Sequence, residues 1–202
     1  MEITLDSIKE QIPYYLTEKQ KEGLLEALDK FIKNKIIVET DLYSYNHQEE
    51  LLQGDGWTKL QVRNFNTGER GSILGIILSN TCDVAPDNKR DLPTKITFAP
   101  LIHLSSYVTL LEKTGVDHNK IINKVISIKE QKVTSILYLP AGSVIQQDCI
   151  ALFDELYTMP SKVFDSEKEK SKVFTLGRFG FYLFIFKLSI HFCRFHENVT
   201  RN

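Results

Sequence analysis

A hairpin in the first half of the chain constrains the fold more than any other feature. From Trp57 to Phe65 the residues alternate, with Trp57, Lys59, Gln61 and Arg63 on one face and Leu60 and Val62 on the other. Asn66-Thr67-Gly68 supplies turn residues, and Ser72 to Ser79 returns as the most apolar strand, expected to be buried on both faces. Further strands are expected at Ile36-Ile37-Val38, Lys95 to His103, Val133 to Leu139 and Cys149 to Thr158, the last two closed by Pro140 and Pro160. Asn80 to Pro93 reads as a long polar loop. In the helical insertion over residues 104–131, Ser105 caps a predicted helix through Lys113 and Asp117 another through Glu130. A final covering helix is predicted over residues 175–196. There is no βαβ alternation, which argues against a doubly wound nucleotide fold. The expectation is an α+β domain built on a small, strongly bent sheet or partly open barrel.

Residues 1–40 form a separate helical arm ahead of the domain at 41–202. Leu5, Ile8 and Ile12 recur at helical spacing until Pro13, and Thr17 with Gln20 reads as a capping box. Leu24, Leu25, Leu28, Phe31 and Ile32 then make one apolar stripe. Such a stripe needs a docking surface, on the domain or on a partner.

The net charge of −1 gives no global pull toward nucleic acid. Residues 1–50 hold six Lys and eleven acids, a balance of −5, while residues 160–202 hold eight Lys or Arg and four acids, a balance of +4. In the second segment Lys162, Lys168, Lys170 and Lys172 interleave with Asp165, Glu167 and Glu169 and largely cancel. Three cysteines without paired spacing, behind an acidic amphipathic start, point to reduced thiols in the cytoplasm. The Phe179 to Phe186 run is the greasiest in the chain, but Lys187 ends it and a span needs about twenty apolar residues. It is read as core packing, with an oligomer interface as the alternative and no membrane contact.

Chemistry concentrates where the apolar strand ends, at Ser79-Asn80-Thr81-Cys82-Asp83. Cys82 beside Asp83 is a candidate nucleophile if His103, at the end of the next strand, comes close enough to act as base. The competing reading, a buried structural thiol with Asp83 capping the turn, is preferred. Asp55 and Asp83 both adjoin strand ends and would hold Mg²⁺ if they met. The binding candidates are Asp55, Ser79, Asn80, Thr81, Lys89 and Arg90. Trp57 and Arg63, on a strand face read as exposed, add a weak nucleic-acid surface. Cys193 and His196 share a helix face, but the further ligands would have to come from Cys82, Asp83 or Cys149, none in a C-x-x-C pair, so no metal centre and no cofactor are expected. Gly54-Asp55-Gly56 lacks the length and the lysine of a phosphate loop.

Gln53-Gly54-Asp55 ahead of a strand, Leu78-Ser79-Asn80-Thr81-Cys82-Asp83 at the end of another, Leu137-Tyr138-Leu139-Pro140, and Leu156-Tyr157-Thr158-Met159-Pro160 together carry a resemblance. The chain resembles uncharacterised prokaryotic proteins with a Leu-Ser-x-x-Cys-Asp strand end. Over roughly residues 50–160 it also resembles the SH3-like barrel of PemK/MazF-type toxins. The resemblance implies a small SH3-like, partly open barrel. Those toxins place an Arg-Pro pair before the strand ending in Ser-Asn, with the arginine on the scissile phosphate. Here that stretch is Ser72-Ile73-Leu74-Gly75, and Arg70 is followed by Gly71.

The leading expectation is therefore a non-catalytic interaction module of a bacterial multi-component system, toxin- or phage-defence-related. The expected partner is another protein or a second copy, with nucleic acid as the alternative. The competing functions are an RNA-cleaving toxin-like enzyme using the loop from Ser79 to Arg90, disfavoured by the missing Arg-Pro pair, and a thiol-dependent hydrolase centred on Cys82, disfavoured by the lack of a histidine motif.

Overall fold

The computed structural model describes residues 42–47, 49–64, 67–88 and 90–193, together with 17–19, 21–23, 25–26 and 29. The strands are β1 (Tyr43–Ser44), β2 (Gly56–Arg63), β3 (Arg70–Ile77), β4 (Lys95–His103), β5 (Ile136–Leu139), β6 (Cys149–Leu152), β7 (Tyr157–Pro160) and β8 (Lys172–Leu176). The helices are α1 (Thr81–Val84), α2 (Leu104–Lys113), α3 (His118–Lys129), α4 (Ser161–Ser166) and α5 (Arg178–Cys193). All pairing is antiparallel, in the order β1-β8-β2-β3-β4-β6-β5, with β7 also on β4. The result is an open, strongly curled half-barrel with helices against it. Among the described residues no helix is long and apolar enough to cross a membrane.

Three apolar clusters hold these parts together. Trp57, Leu60, Ile77, Phe98, Met159 and Phe164 fill the curl. Leu42, Phe153, Phe174, Leu183 and Phe184 join the sheet to α5. Leu104, Ile128, Ile136, Tyr138, Ile150 and Leu152 seat the α2–α3 insertion on β5 and β6. Each such Leu or Phe is worth about 1.5–3 kcal/mol of burial. The arm contributes as well. Gly23 lies against α5, where an added Cβ would stand 2.9 Å from the Tyr182 ring, so the arm meets its own domain there. The Ile36-Ile37-Val38 strand and most of the arm's stripe fall outside the described residues.

The hairpin forms as predicted, with a change of phase. Trp57 pairs with Gly75 and Leu60 with Ile73, so three steps on β2 face two on β3. The extra residue is a β-bulge at Lys59, whose φ is 58°. The bulge puts Trp57 and Leu60 into the same core. Trp57 is therefore buried, not on an exposed face with Arg63.

The expected strand from Cys149 to Thr158 is two strands along one partner. His103 faces Cys149 and Phe98 faces Tyr157, so five steps on β4 match eight on the other side. The surplus is extruded around Phe153, which turns inward against Phe184 with ring centroids 6.0 Å apart. The helix expected over 175–196 begins at Arg178, because Lys172–Leu176 is taken as β8 between β1 and β2. At α2 the helix starts at Leu104 with His103 in the capping position, so Ser105 lies inside it, whereas Asp117 caps α3 by accepting from the Lys120 N–H at 3.2 Å. The fifth strand starts at Ile136 rather than Val133.

One turn after α3 is fixed from two directions. The Gln131 side chain donates to Tyr138 O at 2.7 Å and accepts from Tyr138 N at 3.1 Å. Lys187 on α5 donates to Gln131 O and Val133 O, each at 2.8 Å. Lys187 is 3% exposed, and burial pulls its ammonium from 10.5 down to about 7. Above pH 7 the unfolded chain holds this proton and the folded chain releases it, so stability rises with pH. The Cys149 thiol, pushed by burial and then by the Asp148 charge from 9.0 to about 11, acts oppositely above pH 9. Urea unfolding should therefore show stability rising between pH 7 and 9, by up to about 1.4 kcal/mol per unit. Lys187→Met should flatten that rise; an equally steep rise in the variant would assign it to another group.

Candidate functional site

The polar turn after β3 is built by its own hydrogen bonds. Leu78 N–H donates to Thr97 O at 2.8 Å, and Ser79 Oγ accepts from Thr97 N at 2.8 Å. Asn80 Oδ1 accepts from Cys82 N at 2.9 Å and caps α1, the role expected of Asp83. Thr81 Oγ1 accepts from Gln53 N at 3.0 Å, while Gln53 Nε2 donates to Leu78 O at 2.8 Å. The Gln53-Gly54-Asp55 and Ser79-Asn80-Thr81 segments are thus joined side by side, as an end of the sheet shared by two loops. Asp83 instead pairs with Arg90 on the surface. Exposed pairs of this kind are worth about 0–1 kcal/mol. Lys89 lies outside the described residues.

Asp55 adjoins this turn without joining its chemistry. Gly54, at φ 88°, turns the chain so that Asp55 enters the interior with no exposed surface. Its Oδ2 accepts from Leu52 N at 2.8 Å and stands 2.8 Å from Lys172 Nζ. The ammonium also donates to His47 O at 2.5 Å and to Thr175 Oγ1 at 3.3 Å, and lies 5.4 Å from the Trp57 ring centre. Asp55 and Asp83 therefore hold different cations, one inside and one outside, and do not form a shared Mg²⁺ site. Among the described residues no three His, Cys, Asp or Glu cluster as metal ligands. The Cys193 and His196 pair lies outside the residues whose side chains are described.

The thiol expectations are corrected in both respects. Cys82 is exposed, because α1 turns it away from the core that Val84 enters. His103 is not its neighbour: the turn sits beside Thr97, and His103 is six residues further along β4, about 20 Å of extended strand. The histidine faces another cysteine. Its Nδ1 is 3.6 Å from Cys149 Sγ, across the β4–β6 ladder. Cys149 is 1% exposed and its raised pKa keeps it a thiol, the reverse of an activated nucleophile. Next to it, burial pushes the Asp148 carboxyl up, but Lys129, the Ala141 N–H and Tyr138 outweigh that and hold it below the ordinary value. Iodoacetamide should accordingly label Cys82 in the folded protein and reach Cys149 only on unfolding, as read by peptide mass mapping. Cys82→Ala should change stability by less than about 0.5 kcal/mol.

A concavity opens on the same turn. It is an open cleft of about 930 Å³ between the 78–97 segment, the turn before β7 and the end of α5. Ser79, Asp83, Arg90, Asp91, Lys95 and Thr97 give it a polar side; Leu92, Pro93, Leu156, Leu188 and Phe192 give it an apolar one. Leu92, Leu156 and Phe192 are 78%, 42% and 54% exposed. Of these residues the sequence singles out Ser79, Asp83 and Arg90, but not Asp91, Lys95, Thr97 or the apolar side. Its only local signal was Leu92-Pro93 inside an otherwise polar loop. Leu156 reaches the cleft through the extruded turn and Phe192 through the last turn of α5. No protein-family model matches this chain, nor does any curated protein or solved structure match it significantly.

Proposed function

We propose that this protein is a non-catalytic interaction module of a bacterial multi-component system, toxin- or phage-defence-related, working in the cytoplasm with its curled sheet as an SH3-like barrel. The observation that carries the reading is the exposed apolar wall of the cleft, Leu92, Leu156 and Phe192, facing a polar side whose Arg90 is paired with Asp83. Apolar groups left in water around a concavity suit an anchor side chain from another protein. Two observations weigh against the catalytic alternatives. Cys82 lies far from His103, and the turn's polar groups are engaged in structure: Ser79 Oγ with Thr97 N, Asn80 Oδ1 with Cys82 N and Thr81 Oγ1 with Gln53 N.

The experiment is co-purification of the tagged protein with the products of its neighbouring genes, wild type against Leu92→Asp/Phe192→Asp. A specific partner retained by the wild type and lost by the variant supports the reading. Incubation with long single-stranded RNA, with and without Mg²⁺, is the counter-test. Cleavage that disappears in Asp83→Asn or Arg90→Ala would establish the RNA-cleaving alternative instead.

A further inference from the structure

The outer part of the β2–β3 hairpin lays Leu60, Val62 and Ile73 on the core with one face, and its other face serves neither the core nor the cleft. β4 pairs with β3 only from Gly75 to Ile77, and β8 pairs with β2 only at Gly56 and Trp57. The β2–β3 ladder continues past both, through Leu60–Ile73, Gln61–Ser72 and Val62–Gly71 to Arg63 opposite Arg70. Beyond the bulge the hairpin is thus a two-stranded ribbon, and Arg63, Arg70, Gly71 and Ser72 on it are exposed.

The register makes this ribbon cationic on one face. Residues directly opposite one another project to the same side, so Arg63 and Arg70 leave the ribbon together, with Gln61 and Ser72 two residues inward. Like charges placed directly opposite are unfavourable in a sheet. Neither arginine is balanced by a carboxylate among the described residues. Arg63 Nε donates to Gly68 O at 3.3 Å, and Arg70 makes no ion pair. Glu69, the acid beside them, accepts from Thr67 Oγ1 at 3.0 Å. Further in, Lys59 pairs with Glu169 at 3.1 Å, and Gln61 donates to Glu167 at 3.3 Å.

We propose that this ribbon binds duplex DNA, with Arg63 and Arg70 on backbone phosphates and the two strands lying in the major groove. A B-form major groove admits a two-stranded ribbon, whereas the deep, narrow groove of A-form RNA does not. A protein partner is disfavoured because, among the described residues, this face offers no apolar anchor: the ladder puts Arg63, Arg70, Gln61 and Ser72 on it. Interfaces to phosphate are polar and positively charged, as the Arg63–Arg70 end of this face is. With two phosphate contacts and a net charge of −1, the binding is weak and only moderately dependent on salt.

Fluorescence anisotropy with a labelled duplex of about 20 bp, titrated between about 50 and 200 mM salt, tests this. Wild-type binding should weaken with salt. Arg63→Gln/Arg70→Gln should bind at least about tenfold more weakly at the low-salt end, with a log–log salt slope shallower by about 1.8, two phosphate contacts' worth. The variant's melting temperature should be unchanged or slightly higher, since a like-charge pair is removed. Lys120→Gln/Lys124→Gln, on exposed positions of α3 remote in sequence from the ribbon, should keep the wild-type slope. Absence of duplex binding at the low-salt end, an unchanged slope in the arginine variant, or tighter binding of single-stranded RNA than of the duplex would each overturn the proposal. The cleft reading stands or falls separately, because Leu92→Asp/Phe192→Asp leaves the ribbon intact.

Discussion

Asp55→Ala is expected to lower the unfolding free energy by about 3–5 kcal/mol, the range for removing one partner of a buried ion pair. The Lys172 side chain is 4% exposed and that of Asp55 not at all. Without the carboxylate, the ammonium keeps, among the described residues, the His47 carbonyl, the Thr175 hydroxyl and the Trp57 ring. None of these carries a compensating charge. A loss of this size is a large share of the 5–15 kcal/mol that stabilises an ordinary domain. The companion variant separates charge from volume. Asp55→Ala/Lys172→Met should be more stable than Asp55→Ala alone, because the stranded cation leaves with its partner. Chemical denaturation of the three proteins measures this. Additive losses in the double variant, or a single-variant loss below about 1 kcal/mol, would mean that the pair is not held as described.

Gly180→Ala should cost about 3 kcal/mol, although in a solvent-facing helix the same change gains about 1 kcal/mol. The sign reverses because of what a methyl group would meet. A Cβ at residue 180 would lie 2.2 Å from Leu42 O and 3.2 Å from Leu176 Cδ2. The first neighbour is backbone, and Leu42 O already accepts from Gly177 N at 2.8 Å, so it cannot swing aside. Helix α5 would have to lift off the sheet and expose Leu183 and Phe184. Thermal melting is the readout. A variant as stable as the wild type would show that α5 does not rest on this contact.

Much of the fold was readable from local pattern. The hairpin, the Lys95–His103 strand, the two inserted helices and the covering helix all follow from periodicity, turn residues and caps. What escaped depends on distant partners. The bulge at Lys59 has no glycine to announce it, and it reverses which face Trp57 occupies. Lys172–Leu176 is short, and its tail ran into an apolar helix; only its place between β1 and β2 makes it a strand. The site was half legible for the same reason. Ser79, Asn80, Thr81, Asp83 and Arg90 do gather at one end of the sheet, because they are close in sequence. Asp55 and His103 were placed by strand ends alone. Pairing register sent one inside to Lys172 and the other to Cys149.

The Gln131 amide has a consequence for how this protein keeps to itself. Among the described residues β5 ends the row of strands, and a terminal strand with open backbone groups invites another chain to pair with it. At Tyr138 both groups are already answered by one side chain, which presents a C=O and an N–H as a neighbouring peptide would. An incoming strand would first have to evict that amide and bury it without partners, at a cost of about 1–3 kcal/mol for each group stranded. One glutamine thus guards the margin of the sheet against fibre-like stacking and exchange of strands between copies. Among the described residues the opposite margin is β1, two residues long and too short a template for the same error.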